Sequence, residues 1–160
     1  AAAGPNFRLA IAGEGPEREA ILAEAQRVGL SDRLIMPGFL KDPARFVGLL
    51  DIFALSSDSE QYPISLVEAM AAARPVVSTK VGDVAAMVSR ENRRFIVARE
   101  DEDGFAAALR EIGNNPVLRT ELAHANYARA LAEYGEAEML ARYQQLYGAT
   151  MRRADFARQD

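Results

Sequence analysis

Residues 52–83 read IFALSSDSEQYPISLVEAMAAARPVVSTKVGD. Residues 52–55 form a short apolar run, Pro63 suits the first turn of a helix, residues 65–73 carry helical spacing, and residues 75–78 are apolar again. Parallel strands need a long crossover and are covered on both faces, so strand, loop, helix and strand in this order predict one unit of a parallel sheet.

The same alternation extends outward. Upstream, residues 7–12 are apolar and end at Gly13, residues 17–28 are periodic and stop at Gly29, residues 33–36 precede Pro37 and Gly38, and residues 43–50 are helix-like. Downstream, residues 83–88 read as a short helix and residues 95–98 as a last apolar run. Beyond Asp101 strands cease, and residues 103–112, 116–133 and 136–150 read as successive helices broken at Gly113-Asn114-Asn115 and at Gly135. The pattern predicts a doubly wound, Rossmann-like α/β domain followed by carboxyl-terminal helices. Residues 1–6 and 152–160 carry no such pattern and are expected to be flexible.

A chain of 160 residues fits one domain, which at this size buries about 70% of its unfolded surface. Without Cys there is no disulfide framework and no Cys-based zinc site. No apolar run approaches the ~18 residues of a membrane span, so a cytoplasmic location is expected. The net charge of -4 argues against a general nucleic-acid binder, which needs a basic face to displace counterions. Any phosphate site must then be local.

The predicted loop and helix place Glu60 at the carboxyl end of a strand and Glu68 in the first turns of the next helix. Ligands of open α/β sheets bind at that edge, and a helix amino terminus there offers N–H groups to a phosphate. Carboxylates accept hydrogen bonds from sugar hydroxyls, so a ligand with both parts would be a nucleotide sugar. A structural reading stands beside this one. Ser65-Leu66-Val67-Glu68 also matches a capping box, in which Ser65 caps the helix and Glu68 reaches back, and Glu60 alone reads as a solvated loop charge.

Residues 59–83 resemble the central signature of the group 1 (family 4) glycosyltransferases, in which two Glu residues separated by seven positions bracket the donor loop. The resemblance spans about residues 7–150. It includes the turn Gly13-Glu14-Gly15-Pro16-Glu17-Arg18, the loop Pro37-Gly38-Phe39, Ala69-Met70-Ala71, Pro75-Val76-Val77 and Val81-Gly82. It implies the donor-binding, carboxyl-terminal lobe of a two-lobed, B-type enzyme. Such an enzyme moves a sugar from a UDP- or GDP-linked donor to an acceptor hydroxyl, with retention and without an essential metal or other cofactor, in polysaccharide, glycolipid or glycoconjugate synthesis. By the resemblance Glu60 lies beside the donor sugar as the catalytic-site carboxylate, and Glu68 binds the ribose. Gln61, Tyr62, Pro63, Ile64, Ser65 and Leu66 form the donor loop, whose backbone faces sugar and phosphates. Gly38 and Phe39, with Pro37, lie near the nucleobase, and Gly13, Glu14, Gly15 and Pro16 form the turn at the pocket's edge.

The chain departs from the family pattern at three places. Gln61 stands where Gly is frequent, and Asp83-Val84-Ala85-Ala86 replaces the usual Gly and Pro-Glu pair. Members also open this lobe with one more strand and helix, carrying an Arg and a Lys for the diphosphate, and nothing before Phe7 supplies them. In the family's sheet order that strand is central. Its absence predicts a gap flanked by unpaired backbone groups, to be met by another part of the protein, by re-pairing or by self-association. The acceptor lobe is likewise absent, so the chain alone is expected to lack efficient turnover. In the whole protein, a lipid or glycan acceptor and a peripheral membrane position are expected.

The other features carry less. Asp58, Ser59 and Glu60 lack the partners a metal needs. His124 reads as a surface residue, Arg90, Arg93, Arg94 and Arg99 as a solvated face with a lipid-phosphate contact as the minor reading, and Tyr127, Tyr134, Tyr143 and Tyr147 as packing residues. The turn at Gly13 lacks the third Gly of a dinucleotide fingerprint. Two rival functions remain open: a nucleotide-sugar epimerase lobe of the same fold, and a non-catalytic binding module.

Overall fold

A computed structural model describes residues 7–150. The readings made for residues 1–6 and 152–160 lie outside the described residues. The chain alternates strand and helix through β1 (Leu9–Ala12), α1 (Arg18–Arg27), β2 (Leu34–Gly38), α2 (Pro43–Val47), β3 (Phe53–Leu55), α3 (Ile64–Ala71), β4 (Val76–Thr79), α4 (Val84–Met87) and β5 (Ile96–Val97). It then continues in helices α5 (Glu102–Asn114), α6 (Pro116–Glu133) and α7 (Glu136–Thr150). Short 3-10 turns at Ser31–Arg33 and Glu91–Phe95 lead into β2 and β5.

All strand pairs are parallel, as expected for strands joined by helices, but the ladder falls into two pieces. One is β1 beside β2, with Leu9 opposite Leu34 and a register shift between Ala10 and Ala12. The other is β3, β4 and β5 in that order, with Phe53 opposite Val76 and Ser78 opposite Ile96. β1 pairs only with β2 and β3 only with β4 among the described residues. For this reason β3 is not the fully buried strand its apolar run suggested: Ala54 is exposed, and Phe53 and Leu55 are half-buried.

β4 is the centre of the core, with all four of its residues buried. Successive strand residues point to opposite faces, and the packing follows this alternation. Val76 joins Leu66, Met70, Val84, Met87, Val88 and Ala130 on one side. Val77 joins Phe95, Ala108, Ile112 and Leu122 on the other. β5 is only two residues long and begins opposite Ser78, so nothing in the ladder reaches Val76 on that side. The Asn92 side chain takes the strand's place. Its Nδ2 donates to the Val76 carbonyl at 2.8 Å, and its Oδ1 accepts from the Val76 N–H at 2.9 Å. Asn126 of α6 completes the network, donating to Asn92 Oδ1 and to the Arg74 carbonyl and accepting from the Ser89 N–H. Both amides are fully buried, so each of these bonds satisfies a group that water cannot reach.

The terminal helices start on ordinary signals. Asp101 accepts from the Gly104 N–H at α5, and Asn115 accepts from the Leu118 N–H ahead of Pro116 at α6. α7 has no buried residue, and Met139, Leu140, Tyr143, Leu146 and Tyr147 are all exposed. No helix among the described residues is long and apolar enough to cross a membrane.

Candidate functional site

The loops that carry the candidate residues leave the carboxyl ends of β1, β2, β3 and β4. They form two constellations.

The first surrounds Glu60. The loop after β3 is tied to the end of β4 by Thr79, whose hydroxyl donates to the Ser57 carbonyl at 2.6 Å. The Ser57 hydroxyl in turn donates to Oε1 of Glu60 at 2.8 Å, fixing a half-buried carboxylate. The turn between β4 and α4 closes from the other side. Gly82 has φ +47°, and the Asp83 N–H donates to the Gln61 carbonyl at 3.0 Å. A Cβ on Gly82 would stand 2.5 Å from the Gln61 carbonyl oxygen and closer still to that of Glu60, so only glycine fits there.

Beyond Gln61 the loop turns into α3. Pro63 is buried and occupies the N-cap position, with φ -68° and ψ 113°, and no side chain caps the helix. The capping box is therefore not formed. Helix starts at Ile64, which leaves Ser65 already inside the first turn and Glu68 in the second, too far along to cap. The Glu68 carboxylate is exposed and makes no hydrogen bond or ion pair among the described residues. Leu66 is fully buried in the core, so only its backbone is available to a ligand. Gln61, Tyr62 and Ile64 are exposed, and Ser65 is half-buried.

Tyr62 leans edge-on against Tyr134, with ring centroids 6.1 Å apart, and the Tyr134 hydroxyl donates to the Met87 carbonyl. Partial burial, reinforced by Tyr134, Asp83 and Glu133, pushes the Tyr62 phenol above its usual range.

The second constellation joins the turns after β1 and β2. The Gly13 N–H donates to the Gly38 carbonyl at 2.8 Å, and the Phe39 N–H reaches Oε1 of Glu14 at 3.5 Å. Gly13 and Gly38 have φ of +129° and +81°, conformations open to glycine. Glu14, Gly15, Pro16 and Pro37 are exposed, and Phe39 presents its ring to solvent at 70% exposure. An exposed aromatic ring beside two glycine turns is suited to stacking on a flat ligand.

Other sequence candidates fall elsewhere. His124 lines a recess of about 270 Å³ with Asp51, Arg74, Arg119 and Thr120, by the residues that precede β3 and β4. That is the sheet edge opposite to the loops around Glu60. A second recess, of about 230 Å³, lies between α1 and β2 and is lined by Leu22, Ala25, Leu34 and Met36. Arg94 pairs with Glu111 at 2.7 Å, and Arg99 reaches Glu100 at 3.4 Å. No group of three or more His, Asp or Glu side chains that could hold a metal occurs among the described residues.

The residues that sequence reasoning missed are Ser57 and Thr79, which hold Glu60; Tyr134, read as a packing residue, packs against Tyr62. Ser57 stands three positions before Glu60, a spacing that fits a turn but does not announce one.

A family model described as "Glycosyl transferases group 1" matches residues 1–131. Among curated proteins, the lipopolysaccharide core biosynthesis glycosyltransferase LpsE of Rhizobium meliloti is 28% identical, over 89% of this chain and 42% of its own length. The putative colanic acid biosynthesis glycosyltransferase WcaL of Salmonella typhimurium is 32% identical, over 69% of this chain and 29% of its own. Among solved structures, Anabaena HepE in complex with UDP superposes with a TM-score of 0.85 at 19% identity, covering 92% of this chain and 43% of that one. The chain thus spans less than half the length of these relatives. Fold and sequence agree: the chain belongs to the group 1 glycosyl transferases.

Proposed function

We propose that this chain is the donor-binding lobe of a retaining glycosyltransferase that takes a sugar from a UDP- or GDP-linked donor. In this reading Glu60 lies beside the sugar, Glu68 binds the ribose hydroxyls, and the backbone of residues 61–65 faces the phosphates. Phe39 and Gly38 flank the base, and Gly13 to Pro16 form the pocket's edge. The observation that carries the reading is the contrast between the two glutamates. Glu60 is held at a fixed position by Ser57, while Glu68 extends into solvent one turn into α3 with its acceptor capacity unspent. Related proteins point the same way, since HepE has been solved with UDP and with UDP-glucose. No metal or further cofactor is required by this reading.

The acceptor, a lipid-linked or free glycan, belongs to a second lobe outside this chain, and so does efficient turnover. The ladder edges of β1 and β3 that carry no partner among the described residues suit one additional parallel strand, from elsewhere in the same protein or from a second copy. The test is a calorimetric titration with UDP- and GDP-sugars, with inorganic phosphate as control and Glu68→Ala as variant. Binding of one nucleotide sugar, at least tenfold weaker in the variant, is expected from the loss of a charged hydrogen-bond acceptor. Equal binding by the variant, or a response to phosphate alone, contradicts the reading.

A further inference from the structure

Glu60 sits on a loop, yet its carboxylate is held from a strand. Thr79, 6% exposed at the last position of β4, donates to the Ser57 carbonyl. Ser57 then donates to Oε1 of Glu60. Backbone contacts act at the same point, because the Asp83 N–H holds the Gln61 carbonyl and Gly82 lies flush against the Glu60–Gln61 peptide. A glutamate has three side-chain torsions to immobilise, and an unsupported loop carboxylate would sample many of them. Here one oxygen is already engaged, so the orientation of the other is set before any ligand arrives. β4 is the most buried strand of the domain, which makes it a rigid origin for this chain of contacts.

We propose that Ser57 and Thr79 are positioning residues for the Glu60 carboxylate, and that Gly82 is the seat on which their loop rests. The proposal rests on the donor-lobe reading, in which Glu60 faces the sugar. A residue that only stabilised the fold would alter all ligand binding alike. A positioning residue for Glu60 alters what the sugar adds to binding and leaves the nucleotide part in place.

The experiment measures affinities of the full-length protein for UDP and for UDP-glucose, and takes their ratio as the contribution of the sugar. Ser57→Ala is expected to reduce UDP-glucose affinity about tenfold while UDP affinity stays within about twofold, as one charge-assisted bond is lost. Thr79→Val should give a smaller loss of the same kind, and Ser57→Thr, which keeps the hydroxyl, should restore the ratio. Gly82→Ala should disturb the ratio most, because the Glu60–Gln61 peptide must move. Should that variant fail to fold, the Ser57 and Thr79 pair decides alone.

An unchanged ratio in Ser57→Ala, with a ratio altered in Glu60→Ala, overturns the positioning role and leaves the donor-lobe reading intact. An unchanged ratio in Glu60→Ala removes Glu60 from the sugar, and the inference with it. If GDP-glucose binds and UDP-glucose does not, the same ratio is taken for the GDP pair. A wild-type protein that binds neither sugar nucleotide overturns both readings.

Discussion

The two pieces of the sheet differ sharply in how they are held. β4 is buried along its whole length and its neighbours feed two side-chain clusters, whereas β1 and β2 leave Leu9 at 43% and Ile35 at 47% exposure. The β1–β2 piece is tied to the rest at few points, one being the Phe7 ring against Gly113 at the end of α5. Both pieces carry loops of the candidate site. Glu60 is thus built on the stable half and the expected base-side turns on the weaker half. A two-stranded piece with large apolar side chains exposed is marginal by itself.

Core substitutions should separate the two pieces most clearly. Leu66→Ala, in the fully buried cluster around β4, is expected to cost about 2–5 kcal/mol, while Leu9→Ala should cost under about 1 kcal/mol in this chain. Denaturant midpoints compare them, and equal losses would break the contrast. Next in size, Asn92→Ala strands the Val76 N–H and C=O and one Asn126 donor, at a cost on the order of 3 kcal/mol. A loss below about 0.5 kcal/mol would mean that water replaces the amide. Hydrogen exchange sharpens the comparison: amides of Leu34–Gly38 should exchange faster than those of Val76–Thr79. Comparable protection of the two strands would contradict the difference in rigidity.

The smallest effect belongs to the exposed pair of Arg27 and Glu24 on α1. The Arg27 hydrogen bond holds the Glu24 carboxyl below its ordinary value. A depressed carboxylate contributes stability above its unfolded pKa and loses it as pH falls through the folded one. Glu24→Gln should therefore leave the melting temperature unchanged at acid pH and lower it only marginally at neutral pH, since solvent screens the pair. A large neutral-pH effect would show α1 to be more critical than its exposure suggests.

Much of this was legible in the residues, and the failures have local causes. The bounds of Pro116–Glu133 and Glu136–Thr150 were readable because Asn115-Pro116 and Gly135 punctuate the chain. The βα alternation and the order of the loops followed from short apolar runs and glycines. The capping box, the structural alternative for Ser65 and Glu68, is not formed, because the helix already starts at Ile64 behind Pro63. Burial of the strand at residues 52–55 was overestimated because an apolar run does not reveal how many neighbours a strand has. Asn92 and Asn126 gave no sign, since their meeting joins residues 34 positions apart through tertiary packing. The relay from Thr79 through Ser57 was hidden likewise, because Thr79 reads simply as the end of a strand.

The most direct test of the site is hydrogen exchange of the full-length protein with and without its sugar nucleotide, beginning with UDP-glucose. Added protection is predicted in residues 56–68, on either side of Glu60 and Glu68, and in the turns at residues 13–16 and 37–39. Protection confined to the recess of Asp51, Arg74, Arg119 and His124, with none around Glu60, would contradict it.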